Sequence, residues 1–254
     1  MRLHRKVALV TGAGRGIGAA IARGFAQEGA NLVLVSRTRE QLDRQADWMA
    51  RVTSTRPVVV TADVGVPEDV ERAVLAAMEA YERIDILVNA AGITMVSPSE
   101  SLSLEDWQRC LKTNLDGTFL FCQHAGRVMI RQRSGKIINI TSITAHAAIP
   151  ERAAYAASKG GVLQLTQNLA VEWAKYGIQV NAISPGFIRT EIVQELIEKG
   201  IHKPDRLVAR IPAGRMGEVD DLVGPAVFLA SDDSNYVTGI ALRVDGGWLA
   251  NGYV

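Results

Sequence analysis

The 254-residue chain lacks several features that would each indicate a particular class of protein. It has only two cysteines, Cys110 and Cys122, and no Cys-x-x-Cys pair, so a disulfide framework is not expected. Its four histidines are scattered without metal-ligand spacing, and we therefore expect no metal site. The formal net charge is only +1, which gives no electrostatic footprint for a nucleic-acid partner.

Long hydrophobic runs are also missing from the chain. The basic start, Arg2 to Lys6, leads only into the apolar run Val7–Val10. That run is too short for a signal-peptide core or a membrane span, so we expect a cytoplasmic protein with no membrane partner. Hydrophobic residues make up 48% of the chain and charged residues 22%, as in an ordinary soluble globular protein with a full core.

Short apolar runs alternate along the chain with longer segments of helical character. The runs are rich in Val and Ile and do not alternate strictly with polar residues, as expected of strands buried on both faces. They cover residues 7–10, 32–35, 58–60, 84–88, 136–140, 178–183 and 240–244, and helices are predicted near 16–29, 39–53, 67–82, 104–132, 152–176 and 219–230. This order predicts one α/β domain over residues 1–254, with a seven-stranded parallel sheet and helices on both faces.

Residues 187–217 interrupt this alternation between the sixth and seventh predicted strands. The segment is charged, contains Gly200, Pro204, Pro212 and Gly214, and could hold one or two short helices. An insertion here lies at the carboxyl end of the sheet, where open α/β folds bind ligands. We interpret it as a lid over a substrate, and the alternative is a surface excursion without that role.

A glycine-rich stretch, Thr11–Gly18, follows the first predicted strand and opens the first predicted helix. Its glycines allow a tight turn and the close approach of a pyrophosphate, which the N-terminus of a helix attracts. A structural turn would look similar, but the position between a strand and a helix favours dinucleotide binding. The predicted binding residues of this stretch are Gly12, Arg15, Gly16, Ile17 and Gly18.

The second predicted strand ends in Ser36-Arg37, without the Asp or Glu that binds the adenosine ribose of NAD. A carboxylate would repel a 2′-phosphate, whereas Arg37 can pair with it and Arg15 can supply a second cation. A charge-assisted hydrogen bond contributes roughly 1.5–3 kcal/mol, and about 1.4 kcal/mol is tenfold in affinity. We therefore predict NADP(H) in preference to NAD(H). The alternative is that both arginines are solvated surface charges.

Tyr155 and Lys159 are spaced to share one face of a helix, and Ser142 lies thirteen residues before Tyr155. A free tyrosine has a pKa of roughly 10, which is too high for a good acid or base near neutrality. A neighbouring ammonium favours the phenolate, so Lys159 is expected to lower the pKa of Tyr155. Ser142 could hold a substrate oxygen beside the phenol. The three side chains predict a proton-transfer site, although the Tyr–Lys pair alone could be an ordinary surface pair.

These motifs stand in the order found in the short-chain dehydrogenase/reductase family, which the chain resembles over nearly its full length. Thr11–Gly18 resemble the T-G-x-x-x-G-x-G motif, and Asp63-Val64 resemble the acidic position after the third strand that contacts adenine. Asn89-Ala90-Ala91-Gly92 are similar to the N-N-A-G motif, with Ala90 in place of the second asparagine. The resemblance implies a single-domain Rossmann fold.

The resemblance also implies a catalytic set, which comprises Asn114, Ser142, Tyr155 and Lys159. Asn114 would hold a water that links Lys159 to solvent, although it could instead be a helix-interior amide satisfied by backbone. Lys159 would also bind the nicotinamide ribose, and the P-G-x-x-x-T segment would hold the carboxamide. The implied cofactor-binding residues beyond the glycine stretch are Ser36, Arg37, Asp63, Val64, Asn89, Ala90, Gly92, Tyr155, Lys159, Pro185, Gly186, Ile188 and Thr190.

The implied activity is the NADP(H)-dependent interconversion of a carbonyl and a secondary alcohol, with Tyr155 as general acid and base. Two branches of the family remain open for the substrate. One takes ketoacyl thioesters on acyl carrier protein, for which Arg131, Arg133 and Lys136 could form a basic docking patch. The other takes sugars, polyols or sugar acids, which suit His146, Glu151 and Arg152.

Two further expectations concern the role and assembly of the chain. A non-catalytic dinucleotide-sensing or scaffold protein of the same fold is an alternative, but such a protein should show damage to the catalytic set, and here the set is complete. Members of the family are commonly tetramers that pair the helices near 104–132 and 152–176, so we expect a homotetramer.

Overall fold

The structure is a computed structural model that describes residues 1–53 and 55–252. The described residues form nine strands, namely β1 (Val7–Thr11), β2 (Asn31–Ser36), β3 (Val58–Thr61), β4 (Ile86–Asn89), β5 (Gly135–Ile140), β6 (Ile178–Pro185), β7 (Ile188–Arg189), β8 (Gly217–Glu218) and β9 (Ala241–Val244).

Nine α-helices connect these strands within the described residues. They are α1 (Gly16–Gln27), α2 (Arg39–Thr53), α3 (Pro67–Tyr81), α4 (Leu104–Leu111), α5 (Gly117–Gln132), α6 (Ala153–Trp173), α7 (Glu191–Glu198), α8 (Pro204–Ala209) and α9 (Val223–Ala230). Short 3₁₀ turns cover Ile143–Ala145, Ala174–Tyr176, Val219–Leu222 and Asp232–Ser234. In the two ranges that the structure covers, no helix combines the length and apolarity needed to cross a bilayer.

Seven strands form one parallel sheet in the order β3-β2-β1-β4-β5-β6-β9, which confirms the predicted fold class. Every residue of β1, β4 and β5 is buried, as expected of central strands covered on both faces. The strand order changes direction between β1 and β4, and such a switch point opens a crevice at the carboxyl ends of the strands. The fold therefore places the loops after β1 and β4 side by side.

Two apolar layers hold helices against opposite faces of this sheet. Because side chains alternate along a strand, Leu32 and Leu34 of β2 pack towards α1, α2 and α9, whereas Val33 and Val35 pack towards α3, α5 and α6. Fully burying one such side chain contributes roughly 1.5–3 kcal/mol. These layers make the sheet a rigid base for the loops at its edge.

The long helix predicted over 104–132 is divided into α4 and α5 by a π-helical segment, Lys112–Asp116. Apolar periodicity continues on both sides, so the sequence pattern does not reveal the break. The main-chain carbonyl of Asn114 accepts a hydrogen bond from Thr118 Oγ1 at 2.8 Å, which satisfies a backbone group at the wider turn. Single π turns of this kind are frequent at functional sites.

Residues 187–217 fold into α7, α8 and a small second sheet, in which Ile188 of β7 pairs with Gly217 of β8. The Thr190 side chain accepts a hydrogen bond from the Val193 amide at 3.3 Å and so caps α7. Apolar residues anchor the segment, since Ile211 and Met216 are buried in one cluster with Trp248. The segment thus holds two short helices, within the expected one or two, beside the carboxyl edge of the main sheet.

Candidate active site

A cavity of about 600 Å³ lies at the carboxyl edge of the sheet, between the strand ends and α7. Most residues predicted for the cofactor and for catalysis line it, because the carboxyl ends of parallel strands meet at one edge. These residues are Gly12, Arg15, Gly16, Ile17, Gly18, Ser36, Arg37, Asp63, Val64, Ala90, Gly92, Ser142, Tyr155, Lys159, Pro185, Gly186, Ile188 and Thr190. Two predicted residues, Asn89 and Asn114, do not line it.

The glycine stretch brings backbone close to backbone at one end of the cavity. Gly12 has a φ of +64°, and a Cβ there would lie 2.7 Å from the Ala91 amide nitrogen. A Cβ at Gly18 would overlap the carbonyl of Gly12. Arg15 precedes α1 without a side-chain cap, so the first amides of the helix are not occupied by a capping oxygen. This cradle fits the pyrophosphate of a dinucleotide.

Two arginines stand at the rim of the same end. Arg37 Nη1 lies 3.8 Å from Asp63 Oδ2, and Arg15 Nη1 lies 4.0 Å from Glu195 Oε1. Both pairs are largely exposed, and exposed ion pairs of this kind contribute at most about 1 kcal/mol. Neither carboxylate therefore holds its arginine strongly, and both cations are accessible to an added phosphate.

Helix α6 presents Tyr155 and Lys159 to the cavity from one face. Lys159 Nζ lies 5.8 Å from the centroid of the Tyr155 ring and donates a hydrogen bond to the Ile140 carbonyl at 2.8 Å. Ser142 lies two residues after the end of β5, and its Oγ accepts from the Thr144 amide at 3.1 Å. The end of β5 thus holds Lys159, and the turn that follows holds Ser142, beside the phenol.

Burial acts in opposite directions on the two ionisable groups. It raises the pKa of Tyr155, against the lowering effects of a hydrogen bond with Ser142 and of the charge of Arg152. It lowers the pKa of Lys159 to about 8. In the protein without bound dinucleotide, the expectation that Lys159 lowers the pKa of Tyr155 is therefore wrong. The pKa is raised because the loss of water outweighs the neighbouring charges.

Asn114 lies fully buried in the π-helical segment, behind the cavity wall. Its Oδ1 accepts from the Ile93 amide at 2.8 Å, and its Nδ2 donates to the Ile93 carbonyl at 3.0 Å. Nδ2 also donates to Ser158 Oγ at 3.0 Å. These contacts tie the loop after β4 to α6. The predicted role of Asn114 in holding a water stays a prediction.

Asn89 is directed into the protein interior instead of the cavity. Its Nδ2 donates to Asn139 Oδ1 at 2.9 Å, and Asn139 in turn donates to Thr166 Oγ1 at 2.9 Å. The neighbouring loop is held by Thr11, whose Oγ1 accepts from the Ala90 amide at 3.1 Å. Asn89 therefore supports the strands, and the loop after β4 is fixed through its backbone where Ala90 replaces a polar residue.

Two expectations about substrate recognition do not fit the structure. His146 does not line the cavity, and its Nε2 lies 2.9 Å from Ser184 Oγ. The predicted basic patch of Arg131, Arg133 and Lys136 does not form beside the cavity, because these residues lie at the amino end of β5, the opposite edge of the sheet. Lys136 is also buried, and its Nζ donates to Ser234 Oγ and Asn235 Oδ1.

The motif analysis did not single out His202, which the structure places beside Arg152. His202 lies between α7 and α8 and lines the cavity, where its Nε2 is 3.4 Å from Arg152 Nη2. The edge of its ring meets Phe187, with 5.7 Å between the ring centroids. Arg152 and His202 are fifty residues apart, so no local spacing connects them. Only the position of His202 inside the predicted lid could have indicated it.

Comparison with known proteins decides the family. A family model described as "Enoyl-(Acyl carrier protein) reductase" matches residues 12–249. The chain belongs to the short-chain dehydrogenase/reductase family. A gluconate 5-dehydrogenase of Gluconobacter oxydans is 42% identical to this family member over 246 residues, which cover 94% of this chain and 93% of that protein.

Two further members of the family are similarly related. A 3-oxoacyl-acyl-carrier-protein reductase of Thermotoga maritima is 40% identical over 250 residues, covering 97% of this chain and 99% of that protein. The crystal structure of a gluconate 5-dehydrogenase from Burkholderia cenocepacia, in complex with NADP and tartrate, has a TM-score of 0.93 at 41% identity and covers 98% of this chain and 97% of that chain. Like these relatives, this short-chain dehydrogenase/reductase is an oxidoreductase acting on CH–OH groups, so the non-catalytic alternative is dropped.

Proposed function

We propose that this family member is an NADP(H)-dependent oxidoreductase in which Tyr155 is the general acid and base. The observation that carries the proposal is the placement of Tyr155, Ser142 and Lys159 on the wall of the cavity that the glycine cradle also lines. The substrate class is a sugar, polyol or keto acid, or a ketoacyl thioester. The relatives include enzymes named for both kinds of substrate.

The cavity residues divide into groups that would hold successive parts of the cofactor. The nicotinamide ring, when bound, supplies or accepts the hydride. The glycine cradle would hold the pyrophosphate, Asp63 and Val64 the adenine, and Lys159 the nicotinamide ribose. Residues of the loop after β6 would hold the carboxamide, namely Pro185, Gly186, Ile188 and Thr190.

The protein would supply orientation and a proton to the substrate. Ser142 and Tyr155 bind the carbonyl oxygen, and Tyr155 donates its proton as that oxygen becomes an alkoxide. Burial raises the pKa of Tyr155, which keeps the phenol protonated near neutrality, so the proton is present when a carbonyl substrate binds. Lys159, with a pKa of about 8, can exchange a proton with solvent in the same range and so return one to the site. Oxidation of the alcohol uses the same groups in reverse.

The preference for NADP(H) rests on Arg37 and Arg15 at the rim of the cavity. Both are paired only weakly with Asp63 and Glu195, and a 2′-phosphate offers each a stronger, charge-assisted partner. Ser36, at the end of β2, adds a hydroxyl without a negative charge that would repel the phosphate. The solved Burkholderia relative in complex with NADP supports the same choice.

We further propose that residues 187–217 of this single domain form a lid over the substrate.

We also propose that the protein is a cytoplasmic homotetramer. Large apolar side chains are exposed on the helices expected to pair, with Leu104 of α4 69% exposed, Phe119 of α5 42% and Val171 of α6 82%. Exposed apolar surface on adjacent elements favours an interface. Sedimentation velocity should show a tetramer, and a monomer would contradict the proposal.

Replacing Tyr155 with phenylalanine removes the proton donor with little change in volume. We expect kcat of Tyr155→Phe to fall by about 10²–10⁴, the range for general acid–base catalysis, while NADPH binding measured by fluorescence titration persists. Tyr176→Phe, at a tyrosine stacked on Arg133 away from the cavity, is the matched control and should retain activity. Wild-type turnover by Tyr155→Phe would mean that another group carries the proton.

Removing the charge of Arg37 tests the cofactor preference. We expect Arg37→Gln to lower kcat/KM for NADPH by about 10- to 100-fold, from the loss of one charge-assisted hydrogen bond, and to leave kcat/KM for NADH nearly unchanged. Arg39→Gln removes a neighbouring exposed arginine that pairs with Asp43 on α2 and should behave as wild type. A wild-type enzyme with equal kcat/KM for NADH and NADPH would contradict the proposed preference for NADP(H).

A further inference from the structure

Arg152 is a buried cation without a carboxylate partner. Its side chain lies at the start of α6, and the residue is only 7% exposed. No carboxylate of residues 1–53 or 55–252 forms an ion pair with it, and its Nη2 lies 3.4 Å from His202 Nε2. A buried charge is costly unless it is paired, so this arrangement indicates an anionic partner supplied from outside the chain.

Arg152 lies at the reactive end of the cavity. It lines the cavity together with Tyr155, which follows it by three residues on the first turn of α6. The two side chains are close enough for the arginine charge to lower the pKa of the phenol. An anion held by Arg152 would therefore belong to a molecule that also reaches Tyr155.

The carboxylates that line the cavity lie towards its cofactor end. Asp63 is paired with Arg37 and Glu195 with Arg15. Glu191 lies beside the glycine stretch, with its Oε2 3.6 Å from the position of a Cβ on Gly16. The adjacent Glu151 is exposed and does not line the cavity, and its charge does not offset the burial of Arg152, which lowers the pKa of the guanidinium. Within the described part of the chain, no carboxylate at the substrate end of the cavity is therefore paired with Arg152.

Apolar side chains line the cavity together with the Arg152–His202 pair and lower the local dielectric. Ile149 and Phe187 line the same part of the cavity, and Phe187 fixes the ring of His202 by an edge contact. In such a low-dielectric environment a charge-assisted hydrogen bond is stronger than in water. The planar guanidinium can bind both oxygens of a carboxylate, and His202 can add a third contact from the lid.

We propose that Arg152 and His202 together bind a carboxylate of the substrate, so that the enzyme acts on hydroxy acids and keto acids in preference to neutral polyols and acyl thioesters. The inference rests on the proposed function, because the carbonyl carbon of the same molecule must reach Tyr155. It assigns the lid a direct contact with substrate through His202. Binding of the carboxylate thereby links the lid to the start of α6.

Matched pairs of acidic and neutral substrates test the assignment. The probes are D-gluconate with D-glucitol, and 3-hydroxybutyrate with butane-1,3-diol, each oxidised with NADP⁺ and followed by nicotinamide absorbance. We expect wild-type kcat/KM for at least one acid to exceed that of its neutral analogue about tenfold or more. Arg152→Gln should lose about 10- to 100-fold more with the acids than with the neutral analogues, as expected for a charge-assisted contact, because any effect of the lost charge on Tyr155 acts on both kinds of substrate.

Three variants complete the design. Arg152→Lys keeps the charge without the planar fork and should show an intermediate loss with the acids. Arg206→Gln removes an exposed arginine from α8 and should leave both kinds of substrate unchanged. If Arg152→Gln does not fold, His202→Gln decides the question, since it should lower kcat/KM for the acids alone.

Two outcomes would overturn the assignment while leaving the proposed function intact. One is a wild-type enzyme whose kcat/KM for the neutral analogues equals its kcat/KM for the acids. The other is an equal loss of both substrate types in Arg152→Gln, with His202→Gln unchanged, which would make Arg152 a residue that only supports the fold of the site. Absence of NADP-linked turnover with every probe, and with their carbonyl counterparts and NADPH, would instead contradict the proposed function and the inference with it.

Discussion

The proposed chemistry of this protein depends on the burial of Lys159 and the half-burial of Tyr155 at the edge of the parallel sheet. Lys159 is 5% exposed and donates to the Ile140 carbonyl at the end of β5, so its ammonium is held by a main-chain oxygen. Burial disfavours the charged form of each group, which raises the pKa of the tyrosine and lowers that of the lysine. The result is a neutral phenol beside a lysine that is still mostly protonated at neutrality and can exchange its proton close to its pKa of about 8.

The surrounding structure serves to maintain this arrangement. The two apolar layers fix the sheet, and the sheet fixes the strand ends from which Ser142 and the loop after β4 extend. Asn114 joins that loop to α6 through Ile93 and Ser158, and the π-helical turn around Asn114 gives the amide its position. A change in any of these supports would move the phenol relative to the cofactor cradle.

The fold and most of the cavity wall could be predicted from the chain because both depend on local patterns. Runs of Val and Ile mark the seven strands, and parallel strands bring the residues after their carboxyl ends together. Three features depend on distant contacts and leave no such pattern. The buried Lys136 donates hydrogen bonds to Ser234 and Asn235, almost a hundred residues away in the sequence. Arg152 contacts His202, fifty residues away in the sequence. The pKa of Tyr155 is raised by a loss of water that only the packed site produces.

The most direct test is a measurement of the ionisation of Tyr155 in the protein without dinucleotide. Ultraviolet difference absorbance of the wild type minus Tyr155→Phe, followed against pH, isolates this phenol from the other four tyrosines of the chain. The account predicts a midpoint above the ordinary value of roughly 10, so that no phenolate of Tyr155 forms near neutrality. A midpoint below that value would show that the charge of Lys159 outweighs burial, and would contradict the account.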